Sequence, residues 1–502
     1  MDFNKIKLNL ILKLSSLILF IYLVFRLKNQ AKILSYFPLD ITNDISSHIA
    51  QLYFLKVCGF HNLCNYWYNG YYLFKFYPPG WFFFSYPLLL IFKRPELATY
   101  ISIILMLIII FITIYKIVKL KQKSWLYSIS FFLFLFGTAP SISAFFRLGR
   151  VTELFAWMIF LILTYTILKY KDKKIDVNFI YFIPFYTILL FSHPTVAIIF
   201  HFLLLSLILV KLRKLNELIL IISSIIISII LSSFWWYPFI NNLESGSRTY
   251  EFLPEITNRF FDINGQWTST VILITLLPLI SIVMFFIYFY SKHKDKKELL
   301  FYCPILILGF LVVTKLVTLI PYLNYVYPEP YFIFFIIFIL IFLFFTEINN
   351  LPHLIQKLIL VLIFIISILS TLVSINETSY YLDHTDLEKN TLELLKKVEG
   401  TYVIFDPPSN TSYVKSYYSY AAIYNNLSTP SGWSTSELTE EYNKLLNNLT
   451  NSFRNYNCSE FKELSKELNL DNIIAYNEKC NIKEICNLKE KTTKDNICLI
   501  KI

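Results

Sequence analysis

Directly after its first hydrophobic segment the chain reads Leu39-Asp40-Ile41-Thr42-Asn43-Asp44-Ile45-Ser46-Ser47-His48-Ile49-Ala50-Gln51. As a helix, this stretch places its two aspartates, His48 and Gln51 in one row, beside a second row of apolar side chains. The pattern predicts an amphipathic helix that lies on a membrane surface and does not cross the membrane. Two carboxylates and an imidazole then share one ridge at the lipid surface, where we most expect chemistry.

The composition of the chain is that of a polytopic membrane protein. Of its 502 residues, 56% are hydrophobic and 18% are aromatic, and apolar runs of about 20 residues alternate with lysine clusters. The net charge of +11 does not indicate a nucleic-acid partner, because the lysines cluster at the ends of the apolar runs. The first span has no small-residue cleavage site, which predicts an uncleaved anchor.

The lysine clusters also predict the topology. Lysines near the start place the N-terminus in the cytoplasm, and later clusters mark further cytoplasmic loops. The alternation holds only if residues 81–92 stay outside as a juxtamembrane helix that begins after Pro78-Pro79. About eleven spans then fit, near residues 8–25, 96–116, 125–141, 152–168, 177–191, 194–210, 217–236, 268–290, 299–319, 329–346 and 357–376. We therefore predict an α-helical transmembrane domain over residues 1–376, whose exterior loop 1 spans about 36–95.

The tail has a different composition. Residues 377–502 are rich in Asn, Ser, Thr, Lys and Glu and contain no apolar run long enough to span a membrane. Strands are predicted at 401–405 and 472–476, and helices at 437–447 and 459–468. We therefore predict a small extracytoplasmic α/β domain at the C-terminus of a multi-pass protein of the cell membrane.

Cysteine usage agrees with this topology. Six cysteines fall in segments predicted to lie outside the membrane, which indicates disulfides: Cys58, Cys64, Cys458, Cys480, Cys486 and Cys498. The two in loop 1 predict one bridge between them. The four in the tail predict two more bridges, whose pairing the sequence leaves open. A zinc site in the tail is the lesser alternative, because the spacings lack CxxC pairs.

Asp44 is the strongest candidate for chemistry. A carboxylate at a lipid–water surface is partly desolvated, which raises its pKa and allows it to accept a proton from a hydroxyl. The alternative is a first-turn aspartate that is stabilised by the helix dipole and paired with His48. Asp40 is a further catalytic candidate, although it also stands where an N-cap belongs. His48 could bind phosphate when protonated, or join Asp44 on a metal ion of unknown identity.

Two arginines flank Gly149 in a turn between predicted spans, on the exterior side. Guanidinium groups suit bidentate phosphate binding, so Arg147 and Arg150 are candidate phosphate ligands. The alternative is an ordinary pair of arginines that snorkel to the interface. Glu153 either holds one of these arginines or is a second carboxylate of the site.

Three more exterior residues complete the set of candidates. His193 precedes Pro194 at the start of a span, where it is a phosphate ligand or a structural histidine. Arg248 and Arg259 lie in a long exterior loop, about residues 237–267. We expect both arginines to be mainly solvated, with closure over a substrate as the alternative.

This order of features resembles the GT-C class of membrane glycosyltransferases, which have an acidic exterior loop after the first span. The matching motifs are Asp44 with His48, Tyr77-Pro78-Pro79, and Lys93-Arg94-Pro95-Glu96. The chain resembles more closely the prokaryotic membrane proteins called 6-pyruvoyl-tetrahydropterin synthase-related, through Gly149-Arg150-Val151-Thr152-Glu153, His193 and Ser431-Gly432-Trp433. It departs from many GT-C enzymes because their adjacent acidic pair is absent.

The resemblance implies transfer of a sugar from a polyprenyl-phosphate donor to a glycan, lipid or protein acceptor on the extracytoplasmic side. Asp44 would be the general base, and Arg147, Arg150 and His193 would hold the lipid phosphate. A divalent cation is left open as a cofactor. One rival is a lipid or polysaccharide transporter or flippase, against which stand the sparse charge inside the spans and the lack of an internal repeat. Another is a non-catalytic envelope scaffold whose tail binds a partner.

Overall fold

The computed structural model of the protein describes residues 3–39, 44–122, 125–241, 252–262, 265, 268–291, 296–345, 365, 372, 383–407, 414–433 and 438–502. Asp40 and Arg248 lie outside the described residues. So do the boundary predicted at residue 376 and most of the span predicted near 357–376.

The helices of the membrane domain include one at each span predicted up to residue 346. They are α1 (Phe3–Gln30), α2 (Asp44–Val57), α3 (Gly80–Phe92), α4 (Pro95–Lys119), α5 (Trp125–Phe136), α6 (Ala139–Ile142), α7 (Val151–Asp172), α8 (Phe182–Leu190), α9 (Pro194–Lys211), α10 (Leu215–Asn241), α11 (Phe252–Phe261), α12 (Thr268–Ser291), α13 (Lys296–Val313) and α14 (Pro328–Phe345). Within the described ranges, six helices are long and apolar enough to cross a membrane, namely α1, α4, α7, α9, α10 and α12. Shorter apolar helices include α3, α5, α8 and α14.

Helix α3 is the predicted juxtamembrane helix. Its 13 residues extend about 20 Å, whereas the hydrocarbon core of a bilayer is about 30 Å thick. Pro79 precedes its first residue, and Lys93 ends it in a left-handed conformation with φ of 59°. The helix packs against α2, α4 and α7, so it connects loop 1 to the bundle.

The tail carries a four-stranded sheet of β3 (Tyr402–Ile404), β4 (Asn472–Tyr476), β5 (Lys489–Lys494) and β6 (Ile497–Lys501), in the order β3-β4-β6-β5. Strand β3 is parallel to β4, and the other pairs are antiparallel. The described helices are α15 (Asp386–Leu395), α16 (Val414–Asn425), α17 (Glu440–Arg454), α18 (Cys458–Glu467) and α19 (Ile482–Ile485). The structure therefore agrees with both predicted strands and both predicted helices of the tail.

Residues of β4 alternate between two cores, as the pleat of a strand requires. Ile473 and Ala475 face a small core with Phe453 of α17 and Phe461 of α18. The neighbouring side chains of β4 belong to the large core that continues into loop 1 and the membrane helices. One face of the sheet therefore stabilises the tail, and the other face attaches it to the rest of the chain.

Three disulfides are present. Loop 1 contains the predicted bridge Cys58–Cys64, next to a small hairpin of β1 (Leu63–Cys64) and β2 (Tyr71–Tyr72). The tail bridges are Cys458–Cys486 and Cys480–Cys498, which settles the pairing that the sequence left open. They span 28 and 18 residues, so each restricts the unfolded tail considerably.

Helix α2 has different surroundings from those the sequence predicts. The amphipathic pattern predicts contact with lipid, but ten of its 14 residues are buried by protein. Helices α3 and α4 pack on it, and α16 of the tail covers it as well. The hydroxyls of Ser46 and Ser416 lie 3.0 Å apart across this contact. The small polar side chains of α2 therefore face the tail, where the sequence suggested lipid headgroups.

Candidate functional site

The turn before α7 lies directly against the start of α2. Gly149 has φ of +63°, in the left-handed region that favours glycine. A Cβ added there would lie 2.6 Å from Cβ and 2.8 Å from the backbone nitrogen of Ile45. Because Ile45 follows Asp44 and Gly149 precedes Arg150, this close approach of two backbones brings the two candidate side chains to one place.

Asp44 is partly buried at the contact between loop 1 and the tail. Its Oδ1 accepts a hydrogen bond of 3.3 Å from Nε1 of Trp433. Burial raises the pKa of this carboxyl, while the charges of Arg150 and Lys415 and the indole hydrogen bond oppose the rise. Asp44 therefore has the desolvated environment that the sequence predicts, although protein and not lipid provides it.

His48 lies one turn further along α2 inside an aromatic cage. Its ring centroid is 5.2 Å from that of Trp433, 5.6 Å from that of Tyr77 and between 5.9 and 6.0 Å from Phe82 and Trp81. Burial, with a smaller contribution from His193, lowers the pKa of His48 to about 3. At that pKa the ring is neutral at physiological pH, which favours an uncharged role for His48 over binding of phosphate by an imidazolium. Its buried Nδ1 has no hydrogen-bond partner among the described residues.

His193 stands at the first turn of α9, on the same side of the bundle as His48. Its charge acts on His48, and its Nδ1 lies 2.8 Å from Oγ1 of Thr195. The preceding residue, Ser192, fixes this turn against α3, because a Cβ on Gly80 would lie 2.8 Å from the Ser192 Cα. The start of α3 therefore holds His193 close to the aromatic cage.

Arg150 extends from Asp44 into a network of ion pairs. Its Nη1 lies 3.6 Å from Oε2 of Glu153, and its Nη2 lies 3.9 Å from Oε1 of Glu329. The second oxygen of Glu153 accepts a hydrogen bond of 3.1 Å from Trp157. Glu153 therefore holds Arg150, one of the two roles that the sequence leaves open for it.

Arg259 and Glu329 complete the network, and of the two the sequence offered only Arg259 as a candidate. Nη1 of Arg259 lies 3.2 Å from Oε1 of Glu329, and its guanidinium lies over the Tyr327 ring at 4.8 Å. The expectation that Arg259 is mainly solvated is wrong, because its side chain is only 14% exposed. Glu329 lies in the first turn of α14, and an acidic residue at the end of an apolar span is the signal that could have indicated it.

The other candidates are less connected. Within the described residues Arg147 has no ion pair, and its buried Nε has no hydrogen-bond acceptor.

No group of three or more His, Cys, Asp or Glu side chains in the described part of the chain could hold a metal ion. Asp44 and His48 alone do not make a three-ligand centre.

Solved structures with a similar fold come from the Archaeoglobus fulgidus oligosaccharyltransferase. Its apo form has a TM-score of 0.56 at 11% identity, covering 95% of this chain and 71% of that chain. Its form tethered to an acceptor peptide with the NVT sequon has a TM-score of 0.51 at 10% identity, covering 93% and 70%. Its complex with an inhibitory peptide and a dolichol-phosphate, under the name AglB, has a TM-score of 0.52 at 10% identity, with the same coverage. These likenesses confirm the predicted fold, a polytopic GT-C membrane domain followed by a small domain with a sheet.

Sequence comparison identifies the family. No curated protein matches the chain. A family model described as a 6-pyruvoyl-tetrahydropterin synthase related domain of a membrane protein matches residues 74–378. This match covers more than half of the 502 residues and includes the turn at Gly149, the ion pairs of Arg150 and the start of α9. The chain therefore belongs to the 6-pyruvoyl-tetrahydropterin synthase-related family of membrane proteins.

Proposed function

We propose that this protein is a membrane glycosyltransferase that moves a sugar from a polyprenyl-phosphate donor to an acceptor on the extracytoplasmic side. One observation carries the proposal. A partly buried carboxylate, Asp44, and a guanidinium, Arg150, come from separate elements and act on each other at one end of the bundle. The fold supports it, because the similar oligosaccharyltransferase has been solved with an acceptor peptide and with a dolichol-phosphate.

In the proposed reaction Asp44 is the general base. Its carboxylate takes the proton from an acceptor hydroxyl as the oxygen of that hydroxyl attacks the anomeric carbon of the donor sugar. The bond between that carbon and the phosphate oxygen breaks, and the electron pair leaves with the phosphate. Attack from the face opposite the phosphate inverts the configuration at the anomeric carbon. Burial suits the base, because a carboxylate with a raised pKa is a stronger proton acceptor.

The donor phosphate belongs on the other side of the site. Arg150 and Arg259 share Oε1 of Glu329, so two guanidinium groups already converge on one oxygen. A phosphate oxygen offers the same charge-assisted hydrogen bonds, and guanidinium groups bind such oxygens bidentately. We assign the phosphate to Arg150 and Arg259, with His193 at the edge. This assignment replaces the solvated role that the sequence suggested for Arg259.

The extracytoplasmic side is part of the proposal. Loop 1 and the tail both carry disulfides, which persist in oxidising compartments. Both segments meet at Asp44, so the site and the disulfides lie on the same side of the membrane. The cytoplasmic N-terminus and a boundary at residue 376 between the two domains follow from the same topology.

The test is sugar transfer by purified protein in lipid bilayers, with a panel of dolichyl-phosphate hexoses as donors. Asp44→Asn should lower the transfer rate by about 10²- to 10⁴-fold. The matched control is Asp386→Asn, because Asp386 also opens a helix but its side chain is 95% exposed. Transfer by Asp44→Asn at the wild-type rate would contradict the role of the base. A wild-type protein that transfers none of these sugars would contradict the donor class.

A further inference from the structure

A cavity of 230 Å³ lies between loop 1 and the tail. The β1–β2 hairpin and the residues that follow it form one wall, and the start of α17 forms the other. Its principal lining side chains are aromatic, together with one lysine: Tyr68, Tyr71, Tyr72, Phe76, Tyr442 and Lys75. Among the residues that the structure describes, none that lines the cavity carries a carboxylate. The cavity differs in this respect from the site around Asp44 and Arg150.

The walls are fixed to each other by backbone hydrogen bonds. The amide of Tyr68 donates to the carbonyl of Ser431 at 3.1 Å, and the amide of Thr429 donates to the carbonyl of Tyr66 at 3.0 Å. The hydroxyl of Tyr442 donates to the carbonyl of Pro430 at 3.0 Å. The segment at 429–431 therefore connects both walls, so the cavity exists only where the tail docks on loop 1.

The same segment leads from the cavity to Asp44. The ring of Tyr68, which lines the cavity, lies against Gly432, where an added Cβ would be 2.4 Å from Cζ of that ring. The next residue is Trp433, whose indole donates to Asp44. A molecule in the cavity is thus separated from the proposed base by the width of one short segment. This placement suits an acceptor and not the donor phosphate, whose proposed ligands lie beyond Asp44.

The lining suits a saccharide. Tyr72 is 55% exposed, whereas Tyr68 and Tyr71 are only 5% and 8% exposed, so the cavity has a solvent-facing aromatic platform over a rigid base. Aromatic faces pack against the C–H face of a sugar ring, and phenol, hydroxyl and ammonium groups can bond its hydroxyls. The volume is below the range of about 300–1,000 Å³ that is typical for drug-sized ligands, which favours one or two sugar rings over a long segment.

We propose that this cavity binds the terminal one or two residues of a glycan, and that this glycan is the acceptor of the transfer. The second half of the proposal rests on the proposed glycosyltransferase function. The first half, a saccharide site between loop 1 and the tail, does not require sugar transfer by the protein. The ammonium group of Lys75, which lines the cavity, allows binding of a sugar that carries a carboxylate as well as binding of a neutral sugar.

The experiment measures binding to the full-length protein by saturation-transfer NMR, with three probes. These are maltotriose, trigalacturonic acid and a hexapeptide that contains Asn-Val-Thr. At least one saccharide should bind, and Tyr72→Ala should weaken its affinity by about tenfold. The matched control is Tyr322→Ala, because Tyr322 is 75% exposed and does not line the cavity. Asp44→Asn should retain saccharide binding, since it changes the base and not the cavity.

The outcomes separate this inference from the proposed function. Saccharide binding that Tyr72→Ala leaves unchanged overturns the cavity assignment, even where Asp44→Asn abolishes transfer. Binding of the hexapeptide alone, weakened by Tyr72→Ala, overturns the saccharide class. Binding of a saccharide that depends on Tyr72, in a protein that transfers no sugar, supports the site and removes its role as an acceptor site. In an active protein, Tyr72→Ala should raise the KM for a glycan acceptor about tenfold and leave kcat nearly unchanged.

Discussion

On the acidic side of the site Asp44 is partly buried and accepts a hydrogen bond from the tail, whereas on the basic side Arg150 is shared between two carboxylates. The first arrangement leaves a carboxyl whose pKa is raised by burial. The second neutralises a buried charge with ion pairs from α7 and α14. The ion pairs on the basic side stabilise the fold as well as placing Arg150 for its proposed binding role. On the acidic side, burial disfavours the charged form of Asp44.

This difference matters for the proposed reaction, in which Asp44 takes a proton and the phosphate leaves. A strained or desolvated group is tolerated where it serves function, and the surrounding fold supplies the stability that it lacks. In that proposed reaction, the network around Arg150 gives up a contact to Glu329 when a phosphate binds. Asp44, in contrast, has few contacts to exchange, so its reactivity depends on burial and on Trp433.

Removal of Arg150 should have the largest effect on stability. Arg150→Ala leaves Glu153 buried without its cation, and loss of one partner of a buried pair destabilises a protein by about 3–5 kcal/mol. The measurement is the thermal unfolding midpoint of the purified protein, and Arg150→Ala with Glu153→Gln should recover part of the loss. Lys214→Ala is the matched control, because Lys214 pairs with Glu217 at the same sequence spacing but is 57% exposed. Its loss should be below about 1 kcal/mol, and an equal loss in both variants would contradict the buried network.

Substitution of Gly149 should disrupt the contact between the turn before α7 and the start of α2, which joins the acidic and basic sides. Gly149→Ala introduces a side chain at φ of +63° and directs it at the backbone of Ile45. We expect a loss of roughly 2–3 kcal/mol in the free energy of unfolding, together with a lower transfer rate, because Asp44 and Arg150 move apart. Gly309→Ala is the control, since a Cβ there meets only flexible or ring atoms at 3.3 Å or more. Wild-type stability in Gly149→Ala would show that the two backbones do not depend on their close approach.

The sequence predicts those features of the fold that arise from local patterns. Apolar runs and lysine clusters predict the described spans, and cysteine positions predict three bridges, because each depends on chemistry that neighbouring residues share. The pairing in the tail could not be predicted, since it depends on how β4, β6 and α18 come together. Strands β5 and β6 were not predicted, because β5 is rich in Lys and Thr and largely exposed, whereas β6 is a short apolar run without alternation.

The site was predictable only in part, for a similar reason. Asp44, Arg150 and His193 stand out because charged and imidazole groups are rare beside spans. The role of Trp433 depends on the docking of the tail, which lies almost 400 residues from Asp44 in the sequence. Glu329 and Arg259 become site residues only when α11 and α14 meet. The surroundings of α2 were misjudged because an amphipathic pattern does not distinguish a lipid surface from a covering domain.

Removal of the indole donor should change the pH dependence of the acidic side. Trp433→Phe removes the hydrogen bond that opposes the raised pKa of Asp44, so that pKa should rise further. A base acts only when deprotonated, so the acid limb of kcat/KM should move to higher pH. On that limb the rate should fall by about tenfold, with little change on the plateau. A uniform loss at every pH would indicate a positioning role for Trp433 and no effect on the base.

The smallest expected effect is on stability, because the charged form of Asp44 lowers the free energy of unfolding. Burial raises the pKa of this carboxyl above its ordinary value of 3.8, so the folded protein binds the proton more tightly than the unfolded chain does. Stability then falls as the pH rises through the folded pKa, and Asp44→Asn should be more stable than wild type at neutral pH by about 1 kcal/mol. The difference should vanish below the ordinary pKa, where both states of the wild type are protonated. Thermal unfolding midpoints across this pH range measure it, with the exposed Glu463→Gln as the control. A gain in stability that persists unchanged at low pH would show that the amide improves packing and that the buried charge is not the cause.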